Sequence, residues 1–371
     1  VKKSADSQLL NKGAKMTDNL FFGREKLMRE IRIFFVLLLI LGFGSKSEAQ
    51  LFEATSKVGT TVAQFLKIGA GARATALGGA YTAVSDDIYS VYWNPAGIAT
   101  SSSQFQLTFN HAEWLADMSY DYAAGAINLG EFGTLFASLT NFQVPEEKVR
   151  TEESPEGDGR VWDAGSIALA VGFSKMLTDR FSIGMTVKYI REAIWNSSSS
   201  GFAVDFGTLY RTPFNDLMIG AAISNFGSKM QLDGRDIYFN TDPNDNGDTG
   251  PNNIPSNYRM EEFDIPLTFR VGLSMPVIQT RFIKVLAAVD ATHPNDNTEY
   301  VNSGLEIAYD DMFFIRGGYR SLFKRNSEED FTFGAGIKYG FTDNLRVVIN
   351  YGYADFGRLK DVQFFDIGLI F

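Results

Sequence analysis

The chain offers little to a catalyst. It has no Cys and only two His, His111 and His293. Without Cys there is no disulfide, thiolate nucleophile, Fe–S cluster or Cys-based zinc site. No Ser/His/acid set stands at a recognisable spacing, and both His are expected in solvated outer loops. One run could hold a hard cation. Asp242-Pro243-Asn244-Asp245-Asn246-Gly247-Asp248 places the oxygen ligands Asp242, Asn244, Asn246 and Asp248 at alternate positions, with Gly at the sixth. Position twelve is Asn253 instead of a bidentate Glu, so a solvated acidic loop fits better than a weak calcium site. Gly69-x-Gly71-x-x-Ala74, with Asp86 and Asp87 downstream, has the outline of a dinucleotide fingerprint. That fingerprint needs a buried parallel strand and a crossover helix around it, and neither is expected here. The expectation is therefore a protein that is not an enzyme and has no cofactor, calcium apart.

The remaining composition points to a scaffold. The 371 residues carry 34 Lys+Arg against 44 Asp+Glu, a net charge of -10, so nothing draws the chain to nucleic-acid phosphates. Aromatics make up 14%, with 35 Gly and 32 Phe, yet mean hydropathy is only -0.08. That combination suits strands that are apolar on one side only.

The N-terminal residues read as targeting. Residues 1–27 are polar and patternless, and Met28 is a candidate true start, with 1–27 an over-extension of the reading frame. Residues 28–49 have a basic start, an apolar run from Ile33 to Phe43 and a small-x-small site at Ser47 and Ala49. This is the pattern of a secretory signal peptide.

Beyond residue 103 the pattern is that of strands. In 265–275, Ile265, Leu267, Phe269, Val271, Leu273 and Met275 share one parity, and Thr268, Arg270, Gly272 and Ser274 take the other. Fourteen such segments follow, each about ten residues, the length of a tilted membrane-crossing strand. They are 104–110, 119–129, 132–142, 164–174, 181–191, 201–210, 217–225, 265–275, 282–292, 301–309, 312–320, 331–339, 344–354 and 362–371. Short and long connections alternate between them, as periplasmic turns and outer loops do. The predicted fold is all-β: a transmembrane antiparallel β-barrel of about fourteen strands over 104–371. Residues 50–103 form a short N-terminal plug or hatch. Polar parity predicts a charged lumen, with Lys188, Asp205, Arg270, Lys284, Asp290, Glu306, Arg316, Lys338, Arg346 and Asp366 facing inward.

Two stretches then carry a family resemblance. The first runs through Gly69, Gly71, Arg73, Gly78 and Gly79 to Asp86-Asp87 and Trp93-Asn94-Pro95-Ala96-Gly97. Its small residues suit close packing in a narrow lumen, and Pro95 pushes Asn94 out of the helical region to make a corner. This stretch resembles the N-terminal region of the FadL-like outer-membrane proteins, most closely the PorV/PorQ branch. The second is the C-terminus, where Phe365, Ile367, Leu369 and Phe371 share one face. It resembles the signal read by bacterial barrel-assembly machinery. The resemblance implies a protein of the bacterial outer membrane, associated with type IX secretion, that binds or shuttles cargo proteins for surface export. A FadL-like channel for hydrophobic small molecules is the alternative. The expected partners are outer-membrane lipid, the assembly machinery, secreted cargo and other secretion components.

Two long connections are candidate partner surfaces. Residues 143–163 are acidic. Residues 226–264 carry Tyr238, Phe239, Tyr258, Met260 and Phe263, which can anchor a protein partner or fold inward over the barrel mouth.

Overall fold

The computed structural model describes residues 57–371 apart from 85, 243–252, 325, 326 and 343. The expected leader and reading-frame extension lie outside the described residues, as do Asn244, Asn246 and Asp248. Among the described residues no cluster of three or more His, Asp or Glu could hold a metal ion.

Fourteen long antiparallel strands close into a barrel. They are β1 (Phe105–Glu113), β2 (Ser119–Asn128), β3 (Thr134–Lys148), β4 (Val161–Thr178), β5 (Phe181–Ile194), β6 (Ser197–Arg211), β7 (Met218–Gly227), β8 (Thr268–Gln279), β9 (Ile283–Pro294), β10 (Tyr300–Tyr309), β11 (Phe313–Leu322), β12 (Phe331–Gly340), β13 (Arg346–Asp355) and β14 (Asp361–Ile370). Each pairs with its sequence neighbours, and β1 pairs with β14 from Gln106↔Ile370 to Glu113↔Gln363. Closure leaves the wall no open edge and satisfies its backbone groups without water, which is what allows strands to cross hydrocarbon.

The faces sort as the alternation requires. Along β5, Ile183, Met185, Val187 and Tyr189 are exposed on the outside, while Ser182, Thr186, Lys188 and Ile190 are buried inside. Exposed aromatics gather near one set of turns: Phe132, Phe214, Phe282, Phe313 and Phe341. They form one of the aromatic girdles that mark a membrane boundary, here the periplasmic one, because these turns are the short connections. The C-terminal Phe365 and Ile367 are exposed on the lipid side, and the Phe371 ring packs 5.7 Å from that of Phe105 at the β1–β14 seam.

The fourteen segments stand where alternation predicts, but several strands run further. β3 and β4 extend through Glu147↔Trp162, so 143–163 shrinks to 149–160. β5 and β6 meet at the tight turn Trp195-Asn196, with Trp195 at φ 48. Above the membrane a hairpin keeps its backbone ladder without needing the alternation that lipid imposes, so periodicity stops before the strand does. The same extension corrects the placement of the two His. His111 lies in β1 beside Asp121, at 2.7 Å, and His293 in β9 beside Glu299, at 2.9 Å; neither is in a loop. β8 starts at Thr268, so Ile265 and Leu267 precede it, and Met275 is buried next to a bulge at Pro276/Ile278. The connection 228–267 stays long but is structured. Met230–Gln231 pairs with Glu262–Phe263, and Tyr238–Thr241 pairs with Ile254–Asn257.

Candidate functional site in the lumen and outer mouth

Residues 61–104 run the length of the lumen. The start is fastened at the outer mouth. The Val62 amide donates to the Asp264 carbonyl at 3.0 Å, and the Ala63 amide to Glu192 Oε2 at 2.9 Å. Asp296, in the β9–β10 connection, accepts from Thr61 Oγ1 at 2.7 Å, Gln64 Nε2 at 3.0 Å and Lys67 Nζ at 2.9 Å. Burial alone would raise the Asp296 carboxyl. The bonds from Lys67, Gln64 and Thr61 outweigh it and hold the group below its ordinary 3.8.

From there the chain descends. The Ala72 amide donates to Asp366 Oδ2 at 2.9 Å, and the Tyr81 and Thr82 amides to Asp290 Oδ2 at 2.9 and 2.8 Å. Each inward carboxylate satisfies backbone donors that no helix or sheet would otherwise pair. Trp93 Nε1 donates to the Ala70 carbonyl at 3.0 Å, folding the segment on itself beneath Gly69. Asn94 is extended, at φ -154 and ψ 102, as its position before Pro95 requires. Its Nδ2 donates to the Thr82 carbonyl at 2.8 Å and to the Thr208 carbonyl at 3.0 Å, tying the corner to the wall. The Ala96 carbonyl accepts from Ser182 Oγ at 2.9 Å, and the Gln104 amide reaches the Phe371 carbonyl at 3.0 Å, at the periplasmic end.

The wall is shaped to this path. Gly184, Gly207, Gly220, Gly272, Gly304, Gly318, Gly334 and Gly352 all take the inward parity, and at each the segment's own atoms occupy the space of a side chain. A methyl group on Gly184 would lie 2.3 Å from the Pro95 carbonyl carbon, and one on Gly207 would lie 2.1 Å from Asn94 Oδ1. Sequence reasoning missed this track because it grouped glycine with polar residues on the inward face. Glycine recurring on one parity of eight strands was the available signal for a backbone packed against the wall.

Ion pairs lock the middle. Arg73 meets Glu306 at 2.7 Å, Asp86 at 2.6 Å and Asp87 at 3.0 Å, and Arg316 meets Glu306 at 2.6 Å. Lys188 pairs with Asp205 at 2.6 Å. Of the ten residues predicted to line the lumen, Lys188, Asp205, Arg270, Asp290, Glu306, Arg316 and Asp366 are buried there. Lys338 is only half-buried, Lys284 pairs with Asp311 near the periplasmic turns, and Arg346 is exposed, because these three sit at strand ends. Arg73, Asp86 and Asp87 are thus brought together, while Trp93 packs back on Gly69 and Ala70 and Asn94-Pro95 seats against the wall at Gly207. Gly69 packs on Trp93, Gly71 on Tyr89, and Gly78 and Gly79 turn the chain at φ 69 and φ 77.

Toward the outer mouth the inward face changes character. Phe142, Val144, Ile194, Met230, Met260 and Phe263, with Val62 of the threaded segment, line an apolar cavity of about 390 Å³, and Glu192 is its inner carboxylate. The five aromatic and Met residues expected to act together therefore divide. Met260 and Phe263 line the cavity. Tyr238, Phe239 and Tyr258 are exposed at the Tyr238–Thr241/Ile254–Asn257 ladder, where the Phe239 and Tyr258 rings lie 4.8 Å apart at a tilt of 35°. Val144 and Ile194 were missed because they lie beyond the ends given to their strands, and Phe142, the last residue of its segment, was not singled out.

Residues 52–265 match the family model described as type IX secretion system protein PorV. No curated protein matches the chain. Among solved structures, the Pseudomonas putida toluene transporter TodX is similar at 13% identity and TM-score 0.51, over 81% of this chain and 96% of that one. The monoaromatic hydrocarbon channel CymD is similar at 11% identity and TM-score 0.52, over 82% and 97%. At these identities the likeness is one of fold.

Proposed function

Because the chain belongs to the PorV family of type IX secretion system proteins, we propose that this outer-membrane barrel receives secreted cargo at its outer mouth for delivery to the cell surface. One observation carries the reading: the apolar cavity lies at the outer end of a lumen filled by residues 61–104. A receptor for a protein segment needs a pocket and no through-route. In this reading the threaded segment is the plug, and the Gly69–Gly97 motif is what fits it to the wall. The cavity suits apolar side chains. The acidic Asp233, Asp236, Glu261 and Glu262 around it and the nearby hairpin favour a segment with basic neighbours. Phe365, Ile367, Leu369 and Phe371 serve the assembly machinery.

The second reading is a channel for hydrophobic small molecules, and the same apolar cavity favours it. Two variants separate them: Val144→Trp, which fills the cavity, and replacement of 236–259 by a tight turn. The secretion reading expects a normally inserted barrel with cargo lost from the surface. Unchanged cargo display with reduced uptake of a hydrophobic compound would establish the channel instead.

A further inference from the structure

We infer that Lys188 and Asn225 join in an isopeptide cross-link inside the barrel wall, with Asp205 carrying the protons. Three successive strands bring the set together. Lys188 in β5 and Asp205 in β6 lie diagonally on the inward face, since Lys188 stands opposite Ala203 and Thr186 opposite Asp205. By alternation Asn225 in β7 would face lipid with Ile219, Ala221 and Ile223. A bulge turns it inward. The register shifts between Val204↔Phe226 and Phe206↔Ile223, so Ser224 and Asn225 together stand opposite Asp205. Asn225 takes a left-handed φ of 62, which Asn tolerates better than most residues. Lys188, Asp205 and Asn225 are 8%, 0% and 2% exposed, so water competes for none of them.

Their contacts are those of an amine, an amide and a proton carrier. Lys188 Nζ donates to Asn225 Oδ1 at 2.9 Å and lies 2.6 Å from Asp205 Oδ2. Asp205 Oδ1 accepts the Asn225 backbone amide at 2.7 Å, which holds the carboxylate beside the side chain. Asn225 Nδ2 donates to the Pro266 carbonyl at 3.1 Å, which fixes the amide with its oxygen toward the amine. The amide carbon is about 1.2 Å from Oδ1, so the amine stands close to the roughly 3–3.5 Å of an attacking pair. A proton passed from Lys188 Nζ to Asp205 Oδ2 replaces two buried charges by two neutral groups and frees the nitrogen lone pair. That lone pair bonds to Asn225 Cγ. Asp205 gives its proton to Nδ2 and takes one from Nζ, and the Cγ–Nδ2 bond breaks. Ammonia leaves with the last proton of Asp205 as ammonium, which restores the carboxylate. Nothing is oxidised or reduced, and the chain becomes lighter by one ammonia. The link falls where the wall is least paired. β7 pairs with β8 only as far as Ser224↔Thr268, so its outer end hangs on β6, and the new bond ties that end to β5.

The test is peptide mass analysis of the whole barrel, purified folded from outer membranes, then denatured and digested with trypsin. The expected product is a branched pair of peptides joined through Lys188 and Asn225, lighter by one ammonia than the two apart, with no cleavage after Lys188. Linear peptides carrying a free Lys188 and an intact Asn225, recovered from folded barrel, overturn the proposal. Lys188→Met should give neither the branch nor the ammonia loss. An ammonia loss at Asn225 that persists in Lys188→Met is ring closure onto its own backbone, and it overturns the link. Asp205→Asn should still yield a heat-modifiable barrel, with the link forming roughly 100-fold or more slowly on refolding. A link formed at the parental rate in Asp205→Asn overturns the part given to Asp205.

Discussion

Substituting Gly207 by Ala tests whether the glycine track seats the lumenal segment. The added methyl group would lie 2.1 Å from Asn94 Oδ1 and 2.8 Å from Pro95 Cδ. Reaching even a tight contact near 3.0 Å requires the Asn94 side chain to move by roughly 1 Å. The bonds from Asn94 Nδ2 to the Thr82 and Thr208 carbonyls, now 2.8 and 3.0 Å, do not survive such a shift together. Overpacking costs about 1–3 kcal/mol, and each buried hydrogen bond left unmade about 1–3 kcal/mol. With one of the two bonds lost, a local penalty of roughly 2–6 kcal/mol follows, enough to lift Asn94-Pro95 from its seat. The wall ladder itself is untouched, so the barrel should remain inserted and heat-modifiable. The assay is ion conductance in planar bilayers, with proteolysis at Tyr89 and Tyr92 as a second readout. The Gly207→Ala barrel should conduct and be cut, and the parent should do neither. Gly368→Ala is the control: it faces the same lumen, but its methyl group would meet nothing nearer than 3.6 Å. A Gly207→Ala barrel as tight as the parent, or a Gly368→Ala barrel equally leaky, would refute the reasoning.

Arg73→Met should loosen the same segment by about 3 kcal/mol, the low end for a broken buried pair, because Glu306 keeps Arg316; a lowered midpoint in chemical unfolding checks it. Leu273→Arg on the lipid face should cost about 2–4 kcal/mol in a vesicle folding titration, while Glu131→Arg in a periplasmic turn should cost almost nothing. Asp296 ionises more readily folded than unfolded, so its contribution is present above the ordinary 3.8 and is lost as pH falls through the lower folded value. The mouth anchor should therefore melt more readily below about pH 4, and Asp296→Asn should flatten that dependence. Deleting Phe371 should slow insertion in cells, read as accumulation of unfolded chain in the periplasm, with little change in the stability of the barrel once formed.

Lipid makes the wall legible in the sequence. Ile183, Met185, Val187 and Tyr189 must alternate with Ser182, Gly184, Thr186 and Lys188 because only one face meets hydrocarbon, and the same constraint repeats fourteen times. It ceases where the membrane ends. The outer reaches of β3 to β6 therefore left no periodic trace, and Val144 and Ile194 were passed over although they line the mouth cavity. The lumenal segment was legible as composition and as a resemblance, since Gly69 to Ala80 are small and Asn94-Pro95 fixes a corner. Its partners were not. Arg73 finds Glu306 across a separation of 233 residues, and Asp290 and Asp366 cap amides more than 200 residues away. Parity places those carboxylates inside but cannot say which backbone donors they meet. The cavity is harder still. It is made by four strand ends, one residue of the threaded segment and one short ladder of the 228–267 connection, Met230–Gln231 with Glu262–Phe263. None of these is apolar enough alone to signal a site. The mouth cavity is thus a consequence of barrel closure, which sets Val62 opposite Met260 and Phe263 and leaves space between them.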